Sequence, residues 1–134
     1  MNGIRTRPVP GWYWAAAALA LLWEGFGCFV YLGQVMIEPE ARSAGYAAMA
    51  QWQWAVFAIA TWSGLLGAVG LLARRSWALL LLLLSLVAAA VQYGYELAIG
   101  GFSAASAAVA AAVIVAGFLL VAFANLSKRR GWLG

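Results

Sequence analysis

The sequence predicts an all-α membrane protein: four transmembrane helices in an up-down bundle, with both termini cytoplasmic. Of its 134 residues 66% are hydrophobic and 9% are charged, where a soluble domain carries about a quarter charged. The apolar residues fall in four runs, about 12–33, 52–73, 77–99 and 103–124, each as long as the roughly 20 residues a helix needs to cross a bilayer. The basic residues flank those runs as Arg5 and Arg7, Arg74 and Arg75, and Lys128, Arg129 and Arg130. Only Arg42 falls in the segment expected outside, so lysine and arginine bias sets the orientation. These flanks also account for the net charge of +4 without forming a basic patch, so nucleic acid is not an expected partner. The chain is read as one domain.

Residues 1–10 form a short polar arm with Pro8 and Pro10. Arginines before an alanine-rich run resemble a secretory signal, whose apolar core is roughly 7–15 residues long. The run over 12–33 is longer, so it is expected to be a retained first span. Trp12, Tyr13 and Trp14 supply an aromatic belt where it enters the membrane. Glu24 lies about 18 Å along the helix from Trp12 at 1.5 Å per residue, a depth at which a carboxyl is costly unless protonated, paired or hydrated. Cys28 and Tyr31 follow it on the same face, four and seven residues on. A single cysteine precludes an internal disulfide, and Cys28 is read as a small buried apolar residue.

The loop over 34–51 carries Glu38, Pro39, Glu40, Arg42, Tyr46 and Met49. Its part over 39–50 forms either a short helix on the membrane surface or an irregular loop. Trp52 and Trp54 open the second span. Ala60, Gly64 and Ala68 recur at every fourth position there, flanked by Ser63 and Gly67. Small residues let another helix backbone come close, so this is a packing face, taken by the first or fourth span or by another chain.

Arg74-Arg75-Ser76 predicts a tight turn into the third span. Its leucine run, Leu79 to Leu84, is expected to face lipid or a partner. The second half turns polar, with Ser85, Ala89, Gln92 and Glu96 on one face and Tyr93 and Tyr95 at the same end. Gly100-Gly101 breaks the helix. The fourth span is alanine and valine, then Leu119, Leu120 and Phe123, with basic residues after it and Trp132 expected among the headgroups.

The chain has no histidine and no aspartate, so zinc, bis-histidine haem, Ser-His-Asp hydrolysis and two-aspartate metal sites lack their ligands. Gly64, Gly67 and Gly70 sit within an apolar helix rather than after a strand, so they are not a phosphate loop. No enzyme activity and no cofactor is expected beyond bound lipid. The remaining polar set lies in the outer half: Glu24, Cys28, Tyr31, Thr61, Ser85, Gln92 and Glu96. Counted from Trp12 and Trp77, Glu24 falls near the level of Ala89 and Cys28 near that of Tyr93. Converging faces would make a small pocket open toward the outside. The plainer alternative keeps Glu24 protonated and hydrogen-bonded to Thr61, Gln92 or a backbone carbonyl, and Glu96 solvated at the interface.

Several short stretches carry a resemblance. They are Trp12-Tyr13-Trp14, Leu22-Trp23-Glu24-Gly25 with Gly27, Gly64-Leu65-Leu66-Gly67, Arg74-Arg75-Ser76-Trp77-Ala78, Val91-Gln92 and Gly131-Trp132-Leu133. In this order the chain resembles a family of small four-span inner-membrane proteins of Gram-negative bacteria. The resemblance implies a bacterial inner-membrane location and no particular activity; some members bear the label "sugar transporter". Gln53 departs from the family, which tends to proline before the second-span tryptophan, as does the alanine-rich loop. The functional expectation is an accessory or assembly subunit, acting through helix contacts with its own copies or with other membrane protein subunits. The alternative is a minimal oligomeric transporter or channel for a small solute or protons that uses the pocket around Glu24.

Overall fold

A computed structural model of the chain describes residues 6–42, 44–101 and 103–134; Arg5 lies outside the described residues. The expected class is found. Four helices are long and apolar enough to cross a membrane, and no strand occurs among the described residues. The order is α1 (Gly11–Val35), a 3-10 turn at Pro39–Ala41, a short α2 (Ala44–Ala47), α3 (Gln51–Leu72), α4 (Trp77–Ala98) and α5 (Ala104–Arg129). The stretch over 39–50 thus contains a short helix, α2, together with the 3-10 turn before it. The last span runs to Arg129, beyond the expected end at 124.

Each boundary has a local cause. At the end of α1 the Arg42 Nε donates to the Gln34 carbonyl at 2.8 Å, as basic groups do at helix C-termini, and its guanidinium lies 4.7 Å from the Trp54 ring centre. The start of α3 is capped by Gln53, whose Oε1 accepts the Ala50 N–H at 2.8 Å. A proline at this position would have no side-chain acceptor for that N–H. Arg74 ends α3 in the left-handed region, at φ 57°. Ser103 caps α5, its Oγ accepting from the Ser106 N–H at 3.1 Å.

The helices pack in the order α1, α3, α4, α5, with α3 central between α1 and α4. The small-residue face of α3 is what lets them approach. A Cβ on Gly64 would stand 2.0 Å from the Glu24 Oε2 of α1 and 2.9 Å from the Ser85 Oγ of α4. One on Gly67 would stand 2.7 Å from the Leu82 Cγ, and one on Gly70 2.7 Å from Trp77. Ala68 is fully buried in the same seam. The face is therefore occupied within the chain by the first and third spans; the fourth, offered by the sequence as an alternative, packs on α4 instead. It follows that the leucine run is not all lipid-facing. Leu82 is buried against Gly67, while Leu80, Leu83 and Leu84 are exposed.

The core occupies one half of the bundle, the end where both termini meet. Tyr13, Ala17 and Ala20 of α1 pack there with Ala68, Leu71, Ala78, Leu82 and Ala124. Trp132 and Leu133 close that end: both are buried, and the Trp132 ring meets Trp12 and Tyr13 at 5.5 and 5.9 Å. Trp132 is thus a plug rather than a headgroup anchor. Backbone hydrogen bonds fix it, with Gly134 N–H donating to the Arg74 carbonyl and Ser76 N–H to the Gly134 carbonyl, both at 2.8 Å. Arg7 N–H donates to the Gly131 carbonyl at 2.7 Å, and the Arg74 side chain donates to the carbonyls of Trp132 and Arg7.

Candidate functional site: a cavity in the loop half of the bundle

The other half of the bundle is not filled. A cavity of about 520 Å³ lies between α1, α3, α4 and α5, reaching from mid-bundle to Tyr46 and Met49 of the loop. That volume suits a small-molecule pocket. At the other end of the bundle α5 meets α1, where Phe123 lies 6.0 Å from Trp12 and 5.3 Å from Tyr13. Toward the loop end both helices line the cavity, through Phe26 and Val30 of α1 and Val109 and Val113 of α5. Phe26 and Val109 are also 62% and 58% exposed, so the cavity lining reaches the outer surface of the bundle at both helices.

The floor of the cavity is polar. Glu24 projects from α1 across Gly64, where the missing side chain leaves room for the carboxyl beside Ser85. Neighbouring hydroxyls are committed to carbonyls: Thr61 Oγ1 donates to Phe57 at 3.0 Å and Ser85 Oγ to Ala60 at 2.6 Å. Among the described residues no hydrogen bond to the Glu24 carboxyl is formed, so the expected bond to Thr61, Gln92 or a carbonyl is not made. Gln92, 8% exposed, lines the wall above, and its Oε1 is buried without a donor. Burying such an acceptor unpaired costs about 1–3 kcal/mol.

Five of the seven residues expected in a pocket line this cavity: Glu24, Thr61, Ser85, Gln92 and Glu96. Glu96 stands at its loop-end mouth rather than simply in solvent. Cys28 and Tyr31 do not line it. Cys28 is buried and its Sγ donates to the Thr61 carbonyl at 3.3 Å. Tyr31 belongs to an aromatic cluster on the α1–α3 seam, 5.1 Å from Phe57 and 6.4 Å from Trp54. One face is not enough to share a cavity, because a helix face is wide and only part of it looks inward. Of the packing-face residues, Ala60 lines the cavity and Ser63 is buried with its hydroxyl donated to the Ile59 carbonyl.

The aromatic and small residues Trp23, Phe26, Phe57 and Gly117, which the sequence does not mark as pocket residues, also line the space, together with Ala89 of the expected polar face. Tyr46 of the loop joins them. It stacks on Phe57 with ring centres 5.9 Å apart and closes the loop end. Burial pushes its phenol up from the ordinary tyrosine value, and the Glu96 carboxylate adds to the shift. A clue was available in Gly117, which sits in an otherwise bulky stretch of α5. A Cβ there would stand 2.8 Å from the Leu86 Cδ1, so Gly117 sets how closely α5 approaches α4.

Fold and site together define a multi-pass integral membrane protein with a mainly apolar cavity that holds a buried carboxyl. Comparison with protein-family models, curated proteins and solved structures gives no match.

Proposed function

We propose that this chain is a membrane-embedded binding protein, which takes a small amphiphilic molecule from the bilayer into the cavity between α1 and α5. The observation that carries this reading is the cavity itself, about 520 Å³, mainly apolar in its lining, with Glu24, Ser85 and Gln92 in it, and set among helices long and apolar enough to cross a membrane. Buried polar groups in an apolar space fix a ligand's orientation. An accessory-subunit role draws less support, because Gly64 and Gly67 are spent within the chain. What remains for it is the thinly covered α5, with Val115, Phe118 and Leu119 exposed. A transporter would use the same cavity and need a second copy to complete a path. On the resemblance of its motifs and the basic residues at one end, we place the protein in a bacterial inner membrane with cytoplasmic termini.

The test is radiolabelled dodecanol binding to the protein in nanodiscs, measured against empty nanodiscs. Wild type is expected to bind saturably, and Ala89→Phe, which fills the mid-cavity, to lose binding while keeping its melting temperature within a few degrees. Equal binding by both proteins, or none by either, refutes the reading.

A further inference from the structure

The charges around the cavity are of one sign. Glu24 and Glu96 both line it, and among the described residues no lysine or arginine does. Arg42, the basic residue nearest the loop end in sequence, is occupied by the Gln34 carbonyl and the Trp54 ring. The serine and threonine hydroxyl protons of the lining are already donated to backbone carbonyls, from Thr61, Ser85 and Ser106. The Gln92 Oε1 is left as a buried acceptor with no donor among the described residues, and the Glu24 carboxyl lies beside it in the same cavity lining. Gln92 is more than nine-tenths buried and lines the cavity. Its orphaned oxygen is an observation separate from the two carboxyls. Trp23, Phe26, Phe57 and Tyr93 line the same space, and aromatic rings are attractive neighbours for a cation.

An occupant that satisfies these groups brings N–H donors and positive charge on an apolar body. We propose that the cavity selects a lipophilic amine, a single-chain or compact molecule whose ammonium group reaches Glu24 and Gln92 while its apolar part lies between Phe26 and Val109. This deepens the binding-protein reading and rests on it. The volume excludes both tails of a phospholipid, yet an aminophospholipid headgroup has the same ammonium chemistry, so the experiment separates the two sources. Specificity arises because a buried carboxyl left unpaired penalises a ligand that brings no donor, and a carboxylate ligand adds like-charge repulsion.

The experiment uses the full chain in phosphatidylcholine nanodiscs and three probes of equal chain length: dodecylammonium, dodecanol and dodecanoate. Dodecylammonium is expected to bind about tenfold or more tightly than dodecanol, the worth of one hydrogen bond to a charged group, with dodecanoate weakest. Glu24→Gln should remove that preference while dodecanol still binds. Gln92→Leu should narrow it in the same direction. Melting temperature and gel-filtration profile verify that each variant is folded, and Glu96→Gln, farther from the floor, gives a second reading of the charge effect should Glu24→Gln not fold. Equal affinity for the three probes, or an undiminished preference in both folded carboxyl variants, overturns the amine proposal and leaves the binding reading standing. Absence of binding by all three overturns the binding reading itself. Adding phosphatidylethanolamine to the nanodiscs tests the other source: loss of dodecylammonium binding that excess probe does not restore assigns the site to a lipid headgroup and overturns a free amine as the occupant.

Discussion

Replacing Gly67 with alanine tests how closely the two central helices approach. A Cβ at that position would meet the Leu82 Cγ at 2.7 Å, its Cδ2 at 2.9 Å and the Leu82 backbone nitrogen at 3.3 Å. A branch point and a backbone atom cannot swing aside, so α3 and α4 must separate. Overpacking of this kind costs roughly 1–3 kcal/mol, and the better helix propensity of alanine returns about 1 kcal/mol. The net expectation is a loss of about 1 kcal/mol, within a range of roughly 0–2. Gly94→Ala in α4 is the control, since no atom lies within 4 Å of its added Cβ; it gains propensity alone and should stabilise by about 0.5–1 kcal/mol. Unfolding in mixed dodecylmaltoside and dodecyl sulfate micelles measures both. Gly67→Ala combined with Leu82→Ala should be less destabilised than the two single changes added together, because shaving Leu82 removes the overlap. At Gly64 the atoms in the way are the carboxyl end of Glu24 and the Ser85 hydroxyl. The carboxyl can turn into the cavity, so Gly64→Ala should cost less stability than Gly67→Ala. The reasoning is refuted if Gly67→Ala is as stable as Gly94→Ala, or if its effect adds to that of Leu82→Ala without coupling.

Other consequences are testable on the same protein. Removing residues 131–134 takes away the buried Trp132 and Leu133 and the carbonyls that Arg7, Ser76 and Arg74 use; the expected loss is about 3 kcal/mol or more, and hydrogen exchange should rise first in the terminal half. Gln53→Leu removes the acceptor for the Ala50 N–H, which should cost about 0.5–2 kcal/mol and speed exchange in the first turn of α3 without altering α4. Reporter fusions after Arg75 and after Gly134 should read cytoplasmic and one at Arg42 periplasmic; an external C-terminus would contradict the charge bias.

Hydropathy and residue spacing alone determined the class, the four spans and the pairing of polar with apolar faces. These are local properties: a run of apolar residues must form a helix in lipid because its backbone polar groups have no other partner there. The depth of Glu24, and its shared level with Ala89, follow from helix rise and were legible for the same reason. Gly64 and Gly67 were legible as a close-packing seam, but not which helix fills it, since small residues accept any backbone. Tertiary structure gave that place to α1 and α4 through Glu24, Ser85 and Leu82. It also decided that Cys28 and Tyr31 leave the cavity while Trp23 and Phe26 line it. That outcome turns on rotation of α1 about its axis, which a 3.6-residue period leaves undetermined by tens of degrees. The cavity depends most on structure. Its lining comes from α1, α3, α4, α5 and the loop residues Tyr46 and Met49, and the convergence of segments so distant in sequence is written in no single stretch of the chain.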